Sequence, residues 1–322
     1  MTLIQHVHPQ TRQALQLQAG GLSDGSSIVF PFSDGVYRIV QGENYTGNFG
    51  YQWNKFQTTQ IDSVSQVNLS RERFWTQTGW KPEALQGMNI LEVGSGAGRF
   101  TQVVLEDCQA NLYSVDYSDA VDANYRNNGP NDRLHLYRAS IYEMPFAPAQ
   151  FDKVFCFGVL QHTPDVALSV QKLIEMVKPG GELVVDFYPI SGWWTKWHAK
   201  YILRPWTRKM DNQQLFDKIN KNADWLIKTS QFFSRIGIGK ITNRFLPICD
   251  IDGTLPSHLS KQQLREMVVL DTFDMFSPEY DQPQRISTVV NWFKAAGLQD
   301  VWGGFIHYNK YRAAVVKGNK PI

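Results

Sequence analysis

"ILEVGSGAGRF", residues 90–100, is the stretch from which the rest of the chain is read. A short apolar run containing Glu92 ends in Gly94, Gly96 and Gly98 on alternate positions, with Ser95 and Ala97 between them. Glycine has no Cβ and tolerates positive φ, so such a turn bends tightly and admits a ligand closely. A helix starting near Gly98 would aim its first amides into the same space. The dinucleotide fingerprint G-x-G-x-x-G would put its third glycine at position 99, where Arg99 stands. The spacing here is G-x-G-x-G. Glu92, two residues before the turn, is an unwelcome neighbour for a pyrophosphate but a welcome one for a cationic amino or sulfonium group.

Outward from this turn, strand and helix patterns alternate over 89–188. "MNILEV", "NLYSVDY", "LHLYRAS", "FDKVFCFGV" and "GELVVDFY" read as strands. "GRFTQVVLED", "SDAVDANYRN" (capped by Ser118) and "DVALSVQKLIEMV" (stopped by "KPGG") read as helices. The alternation predicts an α/β fold with a mostly parallel sheet and right-handed crossovers. Ligands then sit beyond the carboxyl ends of the strands, at the topological switch point. Residues 1–45 hold "SSIVFPF" and "GVYRIV" around "SDG", a hairpin signal. Residues 46–88 read as mostly helical, with Ser70 as a helix cap. Residues 189–284 break the rhythm with aromatic, helix-prone sequence, and a structureless loop of that length would be unusual. They are expected to form a helical cap on the acceptor side, before the last helix and two strands of the sheet over 285–322.

The glycine turn and its acid resemble motif I of the class I S-adenosylmethionine-dependent methyltransferases, E/D-x-G-x-G-x-G, and the chain looks like a methyltransferase type 11 domain. The resemblance continues in order through Asp116 in "YSVDYSD", the strand and loop "FDKVFCFGVLQHTPD", and "LIEMVKPGGELVVDFY". It implies a Rossmann-like seven-stranded sheet, S-adenosylmethionine as cofactor, S-adenosylhomocysteine as product, and no metal. It also implies roles. The Gly94–Gly98 turn packs on the methionine part and ribose, and Glu92 orients that turn. Asp116 takes the ribose hydroxyls, and Tyr117 lies near the adenine. Gly158 offers its carbonyl to the methionine amino group. Where the family often has an acid near the adenine this chain has Ser140, followed by Ile141; a hydroxyl accepts more weakly than a carboxylate.

The N-terminal segment resembles a small zinc-ribbon module whose C-P-x-C knuckle has become His8 and Thr11, with no cysteine before Cys108. The expectation is a metal-free relic, with His6 and His8 as surface histidines. Tyr51, Gln52 and Trp53, in an aromatic segment ahead of the first core strand, either close over the cofactor or pack the appendage onto the core.

Composition narrows the field. The 322 residues are 43% hydrophobic, enough for a full core. Lys+Arg 32 against Asp+Glu 30 does not by itself point to nucleic acid. Cys108, Cys156 and Cys249 lack CxxC spacing, which argues against a disulfide framework or a cysteine zinc site. With no apolar signal segment and no spanning run, the expectation is a cytoplasmic protein.

On the acceptor side, His162 in "LQHTPD" is the candidate general base, or else a structural residue of its loop. "GWWTKWHAKYILRPWTRKM" (192–210) sets four tryptophans among Lys196, Lys200, Arg204, Arg208 and Lys209. They would clasp an anionic or sugar-bearing acceptor, lie on a membrane beside a lipid-linked one, or form cap core edged by snorkelling cations. Asp271, Asp274 and Tyr280 would face the acceptor. "FGVLQH" stands where amide and base methylases carry N/D-P-P-Y. The expected acceptor is therefore a small or sugar-like molecule, O- or N-methylated. An RNA-modifying enzyme and a non-catalytic cofactor-binding subunit are the alternatives.

Overall fold

Twelve strands form one continuous hydrogen-bonded series in the computed structural model, which describes residues 4–42, 44–65, 68–190, 192–255, 259–308 and 311–322. The strands are β1 (His6–Val7), β2 (Ala14–Gln18), β3 (Gly21–Ser23), β4 (Ile28–Ser33), β5 (Val36–Arg38), β6 (Asn89–Val93), β7 (Asn111–Asp116), β8 (Leu134–Arg138), β9 (Phe151–Cys156), β10 (Val177–Phe187), β11 (Gln299–Tyr308) and β12 (Tyr311–Asn319). The expected seven-stranded core is the stretch ordered β8-β7-β6-β9-β10-β12-β11. β6 through β10 are parallel to their neighbours, and β12 runs antiparallel to β10. β6 carries the glycine turn and lies between β7 and β9, where the strand order reverses.

The sheet is longer than seven strands for a local reason. The "SDG" turn forms the expected hairpin, pairing Phe32 with Tyr37 and Ser33 with Val36. Asp34 and Gly35 both take positive φ (52° and 77°), matching the twist of a two-residue hairpin. β5 then pairs in parallel with the open edge of β8, and β4 to β1 follow as an antiparallel meander. An unpaired edge is thereby covered.

Two apolar layers cover the sheet because alternate residues of a strand face opposite sides. Leu91, Val93, Val115, Val154 and Val185 join one core with α6 (Val166–Met176) and α12 (Ile286–Ala295). Ile90, Leu112, Phe155 and Val184 join the other with Phe74 of α3 (Leu69–Thr78) and Phe100, Val103 and Val104 of α4 (Arg99–Asp107). α5 (Ala120–Asn128) packs Val121 on Val36 and Leu136. α1 (Gly47–Lys55) and the short α2 (Asp62–Ser65) precede α3 in the chain.

Two sequence expectations change here. Ser70 is not the cap of α3 but lies in its first turn. The Asp62 carboxylate accepts from the Ser70 and Arg71 amides instead, closing the helix end from outside. His6 is not a surface histidine. It is buried, hydrogen-bonded through Nε2 to the Tyr137 hydroxyl at 2.8 Å, and burial pushes its pKa down to about 4. At the former knuckle, His8 Nδ1 accepts from the amides of Gln10 and Thr11, so the side chain itself closes that turn. Among the described residues no three His, Cys, Asp or Glu side chains gather as metal ligands.

The chain divides into two compact units. The first runs to Pro189 and includes Tyr280–Ile306 and Ala313–Ile322; the second is Ile190–Glu279 with His307–Arg312. Tyr280 therefore belongs with the sheet, and Asp271 and Asp274 with the helical unit. The helices of the second unit are α7 (Ala199–Thr207), α8 (Asn212–Arg235), α9 (Gly239–Thr242), α10 (Ile251–Thr254) and α11 (Lys261–Phe276). Among the described residues no helix is long and apolar enough to cross a membrane.

Candidate functional site

The loops after β6, β7, β8 and β9 meet at the switch point. Gly94 donates its amide to the Val115 carbonyl at 2.7 Å, and Ala139 donates to the Asp116 carbonyl at 2.9 Å. Gly94, Gly96 and Gly98 all have positive φ, 84°, 53° and 86°. What presses on them is protein. A Cβ on Gly94 would lie 2.0 Å from Val159 Cγ2, and one on Gly98 would lie 2.2 Å from Asn124 Oδ1. One on Gly96 would stand 3.2 Å from the Trp53 indole nitrogen. The glycines are thus required for the loops and α1 to close together, in addition to the tight bend and close ligand approach that the sequence predicts.

Asp116, at the end of β7, is the hub. Its Oδ2 accepts the Gly96 amide at 2.8 Å, and its Oδ1 accepts the Ser118 amide and hydroxyl at 2.8 and 2.7 Å. A carboxylate has about four acceptor positions, so three donors leave capacity for a further hydroxyl. Burial raises its pKa, opposed by these donors. The N-cap position of α5 is Asp119, not Ser118 as the sequence predicts, although the Ser118 hydroxyl does accept from the Ala120 amide at the start of the helix.

Glu92 is buried and turned toward α4. Its Oε2 accepts from Thr101 and Ser114 hydroxyls, while Oε1 has no partner among the described residues. Desolvation pushes its pKa up to about 7. Any orienting of the turn by Glu92 passes through Thr101 on α4.

α1 separates the three residues read together before it. Successive helical side chains point about 100° apart, so three in a row cannot share one target. Gln52 is fully buried with neither amide atom partnered among the described residues. Trp53 covers Gly96. Tyr51 is turned elsewhere, its hydroxyl accepting from Lys55 Nζ at 3.0 Å.

Around this centre, Ser95 is buried with an unpartnered hydroxyl, and the Ala97 carbonyl accepts from Asn127. Ser140 is buried and accepts the Tyr142 amide, and Ile141 joins the apolar core. Gly158, φ 76°, donates to Asp186 Oδ1 at 2.5 Å, and Asp186 Oδ2 also accepts from Arg73 at 2.5 Å. Tyr117 lies 5.3 Å from Tyr45 between ring centroids, and Tyr45 is the same distance from Tyr280. Tyr117 and Tyr280 thus both pack on Tyr45. His162, on the short 3-10 turn Leu160–His162, is buried against Phe49 and Tyr188. Its Nδ1 lies 3.0 Å from the Tyr280 carbonyl. A carbonyl only accepts, so Nδ1 carries the hydrogen in that bond and Nε2 is the basic nitrogen.

Tyr45, Arg73, Gln161 and Asp186 were not read from the sequence. Asp186 alone carried a signal, an acid at the end of a strand like Asp116. Gln161, fully buried and unpartnered among the described residues, is one polar residue in an irregular loop.

Residues 91–185 match the family model described as a methyltransferase domain, and this span contains the glycine turn, Asp116 and His162. The chain carries a class I methyltransferase domain. This methyltransferase domain is of the S-adenosylmethionine-dependent kind. Over 110 residues, 34% of the chain, it is 28% identical to a tRNA U34 carboxymethyltransferase of Nautilia profundicola. Over 118 residues, 35% of the chain, it is 25% identical to an O-methyltransferase of Penicillium expansum. The matched parts span 37% and 43% of those two proteins. Human N-acetylserotonin methyltransferase, solved with its cofactor, superposes with a TM-score of 0.46 at 12% identity, covering 85% of this chain and 57% of that one.

The residues present fit S-adenosylmethionine. Three buried side chains, Gln52, Ser95 and Gln161, hold polar atoms with no partner among the described residues, and such atoms are costly unless something binds them. Asp116 has spare acceptor capacity. The tyrosines beside it offer flat faces of adenine size.

Proposed function

We propose that the protein transfers a methyl group from S-adenosylmethionine to a small or sugar-like acceptor, at oxygen or nitrogen. The observation that carries the reading is the Asp116 carboxylate locked to the Gly96 amide at the switch point, together with buried polar atoms of Gln52, Ser95 and Gln161 that have no partner among the described residues. Asp116 would hold the ribose hydroxyls, and Tyr45, Tyr117 and Tyr280 the adenine, with Ser140 and Ile141 framing it. Trp53 would cover the Gly94–Gly98 turn, and Gly158, steadied by Asp186, would meet the methionine end.

When bound, the cofactor supplies a methyl group already activated on a sulfonium, so catalysis is chiefly alignment and exclusion of water. His162 Nε2 would take the acceptor's proton as its oxygen or nitrogen bonds to the methyl carbon and the carbon–sulfur bond breaks. Phe49, Tyr188 and the Tyr280 carbonyl fix the ring for that task. The three free, buried cysteines suit a reducing, cytoplasmic setting.

Calorimetry with S-adenosylhomocysteine tests the reading. Micromolar binding lost in Asp116→Ala, with no binding of NADH, is expected. A folded protein that binds no S-adenosylhomocysteine sinks it. A protein that binds but methylates nothing in a broad extract is instead a cofactor-binding subunit. One observation favours a second reading, RNA as acceptor: several of the matched proteins are tRNA U34 carboxymethyltransferases. Methylation of RNA in the extract, with steeply salt-dependent RNA binding, would select it.

A further inference from the structure

The second unit carries an inverted surface. Of the three readings open for the tryptophans of 192–210, cap core edged by cations is the one the side chains of Trp197 and Trp206 oppose; those of Trp193 and Trp194 lie outside the described residues. Trp197 and Trp206 are 62% and 64% exposed, while Lys200 and Arg204 are buried. Arg204 donates to the Pro278 carbonyl, and Lys200, its pKa pushed down to about 7 by burial, is countered by Asp274.

α8 repeats the pattern. Its inner face packs Leu215, Ile219, Ala223 and Ile227. A surface helix is ordinarily polar on the opposite side. Here Trp225, Phe232 and Ile236, spaced seven and then four residues apart, form a second apolar stripe on the solvent side, each more than half exposed. After Gly237 the chain turns into α9 and adds Ile241 at 70% and Phe245 at 53% exposure. Arg244, between Ile241 and Phe245, donates to the Trp197 carbonyl.

Charge identifies the occupant. Segments 192–210 and 225–245 contain nine Lys and Arg and no Asp or Glu. Lys228, Arg235 and Lys240 are exposed beside the stripe. The neighbouring acids Asp224 and Asp252 are engaged by Arg265 and Ser234. An apolar stripe flanked by cations matches the boundary between anionic headgroups and acyl chains. RNA fits less well, because Ile202, Ile236, Ile238 and Ile241, all exposed, neither stack on bases nor pair with phosphate.

We propose that the face of α8 and α9 bearing Trp225, Phe232, Ile236 and Ile241 lies on an anionic membrane surface, its cations among the headgroups and its apolar side chains below them. The proposal is independent of the methyl-transfer reading.

The test is co-sedimentation of the full chain with phosphatidylcholine vesicles made with and without phosphatidylglycerol. Binding only to the anionic vesicles is expected, weakened by salt. The pairs Phe232→Ser with Ile241→Ser, and Lys228→Glu with Lys240→Glu, should each lower the bound fraction at least about fivefold. Should the apolar pair fail to fold, quenching of wild-type tryptophan fluorescence by brominated lipid reads the same contact. No binding to anionic vesicles, undiminished binding by the folded apolar pair, or absence of quenching would overturn the proposal. So would RNA binding without vesicle binding.

Discussion

Asp116 and Gly96, twenty residues apart, are joined by one hydrogen bond of 2.8 Å from amide to carboxylate. That bond ties the end of β7 to the glycine turn after β6. Asp116→Asn keeps an oxygen for Ser118 but sets an amide NH2 where the Gly96 N–H must be accepted. The loss of a charge-assisted bond is worth roughly 1.5–3 kcal/mol. S-adenosylhomocysteine affinity, read by calorimetry, should fall at least about tenfold. Unchanged affinity in a folded variant would remove Asp116 from the site.

Gly94→Ala should destabilise the protein for two separable reasons. The residue sits at φ 84°, and its new methyl would meet Val159 at 2.0 Å. Denaturant titration should show a loss of roughly 2–4 kcal/mol, of which left-handed strain supplies roughly 1–2. Adding Val159→Ala should recover the steric part relative to Val159→Ala alone, and only that part. A cost of Gly94→Ala below about 0.5 kcal/mol would contradict the close loop contact.

Glu92 makes stability fall as pH rises. Its folded pKa of about 7 exceeds the ordinary value of 4.5, so between the two the folded state binds more protons than the unfolded. Below pH 4.5 the group contributes no difference; above 7 the cost is fully developed. Glu92→Gln retains an acceptor for Thr101 and Ser114 without the charge. Its advantage over wild type should grow from near zero at the acid end to roughly 2–3 kcal/mol at pH 8, by urea denaturation at each pH. A pH-independent difference would refute the assignment.

His6 acts in the opposite sense. With its folded pKa near 4, below the ordinary 6.5, stability is lost as pH falls from 6.5 through 4. His6→Gln, which still reaches Tyr137, should lose less over that window, by about 1–3 kcal/mol. Parallel profiles for variant and wild type would mean the histidine is not buried neutral.

His162→Ala should lower kcat about 10²–10³-fold with S-adenosylhomocysteine affinity unchanged within about threefold. A purely structural role would instead lower cofactor affinity and thermal stability together. A full-rate variant would show that the acceptor arrives without a proton to lose.

The sheet order and the glycine turn were legible because they depend on local chemistry. Buried parallel strands read as apolar runs, and positive φ selects glycine at 94, 96 and 98. Asp116 was legible by position, the first acid after an apolar strand. Gln52, Gln161, Tyr45 and Arg73 were not, since a lone polar or aromatic residue in a helix or loop has no periodic signal. Their place at the site comes from α1, α3 and the β9 loop folding onto the switch point.

The sequence by itself determined the α/β class, the strand at which ligands gather and the spacing that excludes a dinucleotide, because these rest on period and backbone conformation. Only the tertiary structure decided that β5 would extend the sheet, that His6 would be buried, and that Trp197 and Trp206 would face out while Lys200 and Arg204 turned in. Amphipathic sequence specifies that a helix has two faces; which face turns inward is settled by the partners it packs against, and those lie far away in the chain.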